Sequence, residues 1–181
     1  MFFIKEKDSY TYYKMRLKLS EIREEIFPLL KKKFERIEHL IKFREFDSRF
    51  DKEILMNIYN RAFLTSPDPF RPLTINELDD IDSTIFFIKL YGLDSGFISI
   101  SIEESDQGEK IGLIPIMAVL PERQRRGLGS ALALKAYDFL KNKDIEFVEC
   151  EVGEDNLASF LFVKFIGFKV YGKEVIKFEN E

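Results

Sequence analysis

The chain has 181 residues, 45% hydrophobic and 33% charged, with a formal net charge of −4. That balance fits one globular domain, or one domain with an extension, and not a disordered chain, and the length is enough to bury a core without disulfides or metals. The negative charge excludes a global basic field for nucleic acid, the single cysteine excludes an internal disulfide framework and fits a reducing, cytoplasmic setting, and no apolar run approaches the ~20 residues of a membrane span.

Residues 1–38 read as a mainly helical extension, with the main domain at 39–181. The apolar start Met1-Phe2-Phe3-Ile4 runs at once into Lys5-Glu6-Lys7-Asp8 and is too short for a signal peptide. Ser20 to Phe27 has helical spacing through Ile22, Ile26 and Phe27, and Pro28 either interrupts it or opens a second helix at its first turn. Leu29 to Leu40 continues with Phe34, Ile37 and Leu40 at helical spacing, and Lys31-Lys32-Lys33 reads as its solvated face. The sequence leaves open whether this extension packs on the domain or dimerises the chain. The lone His39 is structural in this reading and leaves no metal set.

Leu40 to Phe46 reads as a strand. Asp51 is placed to cap a helix from Lys52 to Phe63, and Ser66-Pro67-Asp68-Pro69 breaks it. Thr74 with Glu77 three residues on marks a short second helix. Strands follow at Thr84 to Leu90 and Phe97 to Glu103, joined by a turn from Tyr91 to Gly96. Ile111 to Leu120 is almost wholly apolar, the pattern of a central strand covered on both faces. Gly127 to Lys141 is an amphipathic helix, and Glu146 to Val152 another strand. Asn156 caps a helix from Leu157 to Ile166 that stops at Gly167, and a closing hairpin turns around Gly172. The nineteen phenylalanines imply a Phe-packed core. This order predicts an α/β fold, a mixed sheet with helices on its faces.

The segment after the apolar strand carries the chemistry. Pro121 ends the strand, a polar loop from Glu122 to Arg126 follows, and Gly127-Leu128-Gly129-Ser130 opens a helix. The free amides of a helix's first turn, with the positive end of its dipole, hold an anion. Glycines there let a phosphate approach the backbone, and Arg123, Arg125 and Arg126 surround it, so a diphosphate is the natural ligand. The segment has no Walker pattern, and Leu132 stands where a dinucleotide fingerprint needs glycine or alanine.

Val119-Leu120-Pro121 followed by Gln124, Gly127 and Gly129 resembles the acetyl-CoA signature of the GNAT superfamily of N-acetyltransferases. Asn156, Ser159, Phe160, Phe162, Gly167 and Phe168 resemble its second motif, and the order of elements agrees from about residue 39 to 178. The resemblance implies a mostly antiparallel mixed sheet flanked by helices, and acetyl-CoA as cosubstrate in a splayed notch beside the central strand. Amides from Gln124 through Arg125, Arg126, Gly127, Leu128 and Gly129 to Ser130 would hold its pyrophosphate. Met117, Ala118 and Val119 would bond the pantetheine arm and the acetyl carbonyl, and Asn156 would contact the arm as well as cap its helix.

Direct transfer to an amine needs a base for the amine and a proton for the thiolate. Glu149 and Glu151 alternate with Val148, Cys150 and Val152, which puts both carboxylates on one strand face, roughly 7 Å apart by strand rise. Either could act as base if partly buried; a surface salt bridge is the other reading. Glu151 also matches, by resemblance, the acid five residues before the motif Asn in peptide N-terminal acetyltransferases. The family's usual thiolate acid is a tyrosine where this chain has Val163, so Tyr171, Ser159 or water must supply the proton, or the thiolate leaves unaided. Cys150, in the apolar alternation, reads as a buried structural thiol. The expected function is N-acetylation of a primary amine, on a small molecule or a peptide amino terminus. The rival is an acyl-CoA-binding or regulatory module with little catalysis. No nucleic-acid or membrane partner is expected. The acids Glu77, Asp79, Asp80 and Asp82 suggest a cationic amine as acceptor, a polyamine or a peptide amino end.

Overall fold

The computed structural model describes residues 9–23, 26–79, 81–104 and 108–177. In chain order its elements are β1 (Ser9–Lys18), α1 (Phe27–Glu35), β2 (Ile41–Glu45), α2 (Lys52–Leu64), β3 (Thr84–Leu90), β4 (Leu93–Glu104), β5 (Lys110–Val119), α3 (Leu128–Leu140), β6 (Phe147–Gly153), α4 (Leu157–Ile166) and β7 (Lys169–Lys177). Short 3-10 turns stand at Leu19–Arg23, Glu38–Leu40, Ile75–Leu78 and Pro121–Arg123. The strands form one sheet in the order β2-β3-β4-β5-β6-β1-β7. Every described pairing is antiparallel except β5 with β6. The expected mixed, mostly antiparallel sheet flanked by helices is what forms.

The first strand departs from the sequence reading. Ser9–Lys18, expected in a helical extension, lies between β6 and β7 and bonds to both. Its alternation explains this: Met15 and Leu17 are buried against the core, with Tyr13 beside them, while Lys14, Arg16 and Lys18 point to the other face. The helical reading holds further on: Pro28 sits in the first turn of α1, which ends at Glu35. Of the early apolar residues, Met1 to Ile4 lie outside the described residues.

The closing hairpin is also absent. β7 runs unbroken along β1, and the register shifts from Lys14↔Gly172 to Met15↔Val170, so Tyr171 bulges. The glycine read as a turn therefore marks a bulge. Gly96 is a similar case. The β3–β4 turn is only Tyr91-Gly92, both at positive φ, and β4 already includes Gly96, where a Cβ would lie 2.5 Å from the Ala118 carbonyl oxygen. Asp51 does not cap α2 with its side chain. Arg44 takes the carboxylate at 2.6 Å, and the Asp47 amide donates to it at 2.8 Å.

Two cores flank the sheet. One lies under α3, with α1 and α4 beside it: Leu128, Ala131, Leu132, Ala136 and Leu140 meet Ile88, Ile98 and Ile100. The other lies under α2, where Leu55 and Ile58 meet Phe87, Phe97 and Ala118. Phenylalanines do supply much of this packing: Phe86 meets Phe139 edge-on at 5.5 Å, and Phe87 meets Phe97 at 6.2 Å.

The feature that positions the site is the join between β5 and β6. They pair only at Ile111, Gly112 and Leu113, against Phe147, Val148 and Glu149. Beyond that point the two parallel strands part and leave a notch. Hence β5 is not covered on both faces as expected: Ile114, Ile116, Met117 and Val119 are only half-buried, and Pro115 is exposed.

Candidate active site

At the wide end of the notch, β5 leads into the loop that opens α3. Gln124 folds back and donates from Nε2 to the Val119 carbonyl at 3.1 Å, closing the loop on the strand it leaves. Arg125 at φ 60° and Gly127 at φ 84° both take the left-handed conformation, which turns the chain sharply into the helix. Gly127 occupies the N-cap with no side-chain bond, so the first-turn amides of α3 stay open to a ligand. A Cβ on Gly127 would meet Ile37 at 3.2 Å; one on Gly129 would touch the Phe162 ring at 3.4 Å. Leu128 and Ser130 turn their side chains into the core, so they serve the loop through backbone alone. Arg125 and Arg126 are exposed, and neither they nor Arg123 form an ion pair among the described residues. This cradle fits a diphosphate: bare backbone where a side chain would obstruct, helix amides facing out, and uncommitted cations around it.

Met117, Ala118 and Val119 lie on the part of β5 that has left β6, with Ala118 buried against α2. Their backbone groups turned away from β4 therefore face the notch. Asn156 sits where β6 passes into α4. Its Oδ1 accepts from the Ser159 amide at 3.1 Å, the expected cap. Its Nδ2 is committed as well, donating to Ser66 Oγ at 3.3 Å and to Asp68 Oδ2. These contacts pin the tip of the loop after α2 across the end of β6. Asn60 holds the base of that loop, bonding Leu73 through both amide and carbonyl.

Glu149 and Glu151 share the face toward α2, as their alternation requires, yet they stand in different surroundings. Glu149 Oε1 accepts from Arg16 Nε at 2.6 Å and pairs with Nη2 at 2.5 Å, while Oε2 accepts from the Tyr171 hydroxyl at 2.7 Å. Arg16 in turn is stacked between the rings of Phe147 and Tyr171, at 4.8 and 4.9 Å. Burial, then the bond to Glu149 and its charge, push the Tyr171 phenol up to about 12. Its proton is thus spent on Glu149, not held ready for a thiolate. Glu151 is half exposed, with Lys14 Nζ at 3.8 Å and closer to Glu174, at 2.7 Å. Its lone pairs remain available.

Val163 packs half-buried against the core. Cys150 faces the same core from β6, and burial, with the charges of Glu151 and Glu149, pushes its thiol from 9.0 to about 12. A thiol so held is no nucleophile at neutral pH. The folded value lies above the unfolded one, so this group's contribution to stability is complete below about pH 9 and lost as pH rises toward 12. Native protein at pH 8 is expected to resist iodoacetamide, with full alkylation only in urea; mass spectrometry reads both.

Sequence reasoning missed Arg16, Tyr12 and Asp68. Tyr12 stands opposite Gly153 on β1, half-buried, and its phenol is raised first by burial and then by the Asp68 charge. Of the acids expected to attract a cation, Glu77 caps Thr74 and pairs with Arg71, and Asp79 pairs with Lys52. Asp80 lies outside the described residues. Among the described residues no group of His, Cys and carboxylates could hold a metal ion, and no helix is long and apolar enough to cross a membrane.

The family model described as the acetyltransferase (GNAT) family matches residues 52–168, more than half of the chain, which includes the cradle, the notch and α4. The chain belongs to this family, whose acyl donor is acetyl-CoA. A curated relative, the mycothiol acetyltransferase of Acidimicrobium ferrooxidans, is 28% identical over 139 residues, which cover 74% of this chain and 45% of the relative. The chain therefore spans about half the length of that protein. Among solved structures, an aminoglycoside acetyltransferase from an uncultured soil metagenomic sample, in complex with sisomicin, has a TM-score of 0.61 and 16% identity over 80% of this chain and 98% of its own. The aminoglycoside N-acetyltransferase AAC(6')-Iy, in complex with CoA, has a TM-score of 0.57 and 18% identity over 78% of this chain and 94% of its own. At these identities the two structures speak to the fold.

Proposed function

We infer that the protein is an N-acetyltransferase that moves the acetyl group of acetyl-CoA to a primary amine, on a small molecule or a peptide amino terminus, by direct attack. The observation that carries this is the open α3 amide cradle at the mouth of a notch whose far end holds a carboxylate with free lone pairs. Bound acetyl-CoA supplies a thioester carbonyl for the amine to attack, with CoA as the leaving group. The chain's residues supply the rest. The cradle from Gln124 to Ser130 fixes the diphosphate. The free edge of Met117, Ala118 and Val119 aligns the arm and polarises the carbonyl through backbone amides. Glu151 takes the amine's proton, directly or through water. Glu149 and Tyr171, engaged with each other and with Arg16, position that strand face. Val163 gives no proton, so solvent reprotonates the thiolate. Holding both reactants in one notch supplies much of the acceleration.

Val163 also supports a second reading, an acyl-CoA-binding module of low turnover on the same scaffold. A thiol-release assay with acetyl-CoA and a broad panel of primary amines separates the two. Turnover on at least one amine, well above hydrolysis, is the expected result. Tight acetyl-CoA binding with none would favour the binding module.

A further inference from the structure

Six described acidic residues are not exposed. Five of them, Asp47, Asp51, Asp94, Glu149 and Glu174, pair with an arginine or lysine. Asp68 alone has no cationic partner. Its Oδ2 accepts from Ser66 Oγ at 2.6 Å and from Asn156 Nδ2, both neutral donors. Its Oδ1 lies against the end of β6, so close that a Cβ on Gly153 would stand 2.2 Å away. The missing side chain at Gly153 is what admits the carboxylate to this place. Glu151 is two residues back on the same face of β6, roughly 7 Å along the strand. Tyr12, opposite Gly153, has its phenol raised first by burial and then by the charge of Asp68, with Glu151 also contributing.

A partly desolvated carboxylate that only neutral groups hold is best completed by a positive guest. We propose that Asp68 receives a second cationic group of the acceptor, so that the substrate is a diamine or polyamine-like cation whose reacting nitrogen lies at Glu151 and whose other ammonium lies at Asp68. This rests on the acetyl-transfer reading above. The spacing selects acceptors with two amines roughly 7 Å apart or less, the interval between alternate residues on one strand face. Acceptors with a carboxylate at that distance are rejected by like charge.

The test compares spermidine with butylamine on wild type, Asp68→Asn and Gly153→Ala, with calorimetry for acetyl-CoA on each. Asparagine at 68 can still accept from Ser66 and Asn156, so it removes charge and keeps the loop pinned. Asp68→Asn is expected to raise the KM for spermidine by about 10- to 100-fold, as loss of a charge-assisted bond implies, while the KM for butylamine changes by less than about twofold. Gly153→Ala, which displaces the carboxylate without removing its charge, shifts the ratio in the same direction. Asp138→Asn, an exposed acid paired with Lys141 at the far end of α3, leaves the ratio as it was. A ratio unmoved by Asp68→Asn, or equal rises in both KM values, overturns the proposal. If wild type binds acetyl-CoA but neither uses nor binds spermidine in the CoA complex, the acceptor class is overturned and the cofactor site stands. If wild type does not bind acetyl-CoA, both readings fall together.

Discussion

Gly129→Asp is expected to weaken acetyl-CoA binding by on the order of 100-fold, about 2.7 kcal/mol, while the protein stays folded. The two halves of that expectation come from one position. Gly129 is the second residue of α3, and its ideal Cβ would touch the Phe162 ring at 3.4 Å, an ordinary contact. An acid in the first turn of a helix stabilises it by about 0.3–1 kcal/mol through the dipole. The same negative charge, beside amides that must face a diphosphate, opposes the ligand. Stability and binding therefore move apart, which unfolding cannot imitate. Gly127→Asp is a poorer probe: at φ 84°, with Ile37 at 3.2 Å, it also strains the loop. Calorimetry beside a melting curve reads both effects. Binding within about threefold of wild type would mean that the diphosphate lies elsewhere.

The cradle was legible because its information is local. A glycine in the N-cap, a strand ending in proline and a run of helical spacing all lie within about a dozen residues of one another. Asn156 and Gly167 mark the two ends of α4 in the same way, and both act as read, Gly167 at φ 112°. What escaped depends on partners far away in sequence. The alternation of Tyr13, Met15 and Leu17 signals a strand only once β6 and β7 stand on either side of it. The Arg16–Glu149 bond spans 133 positions, and the Asn156–Asp68 bond 88. Ser66-Pro67-Asp68-Pro69 reads as a helix breaker, which it is, but its aspartate also bears on the notch. Gly172 and Gly96 show the same limit from the other side. Glycine marks a turn, a bulge or a close approach of two backbones, and only the partner strand decides which. The acids near residue 77 show local charge in the sequence, but not their counter-charges, Arg71 and Lys52, which only the fold reveals.

Glu151→Gln is expected to lower kcat by on the order of 100-fold, the usual scale of a lost general base, with the KM for acetyl-CoA unchanged. Glu149→Gln is expected to lower kcat by less than about tenfold. The two acids are neighbours on one face and differ only in what surrounds them. A base needs a lone pair that a substrate proton can reach. On Glu149 both oxygens are occupied, one by the Arg16 fork and the other by the Tyr171 hydroxyl, and its side chain is 15% exposed. To accept a proton it must first release a charge-assisted bond. Its loss is therefore expected mainly in stability, about 1 kcal/mol because Arg16 is itself partly solvated. Glu151 is 50% exposed, and its one cation, Lys14, stands at 3.8 Å and is shared with Glu174. Tyr171→Phe should change kcat by no more than about twofold, since its phenol, pushed up to about 12, holds its proton for Glu149. If the order were reversed, with Glu149→Gln the damaging change, the Arg16–Glu149–Tyr171 group would be the proton relay, and Glu151 only a surface partner of Lys14.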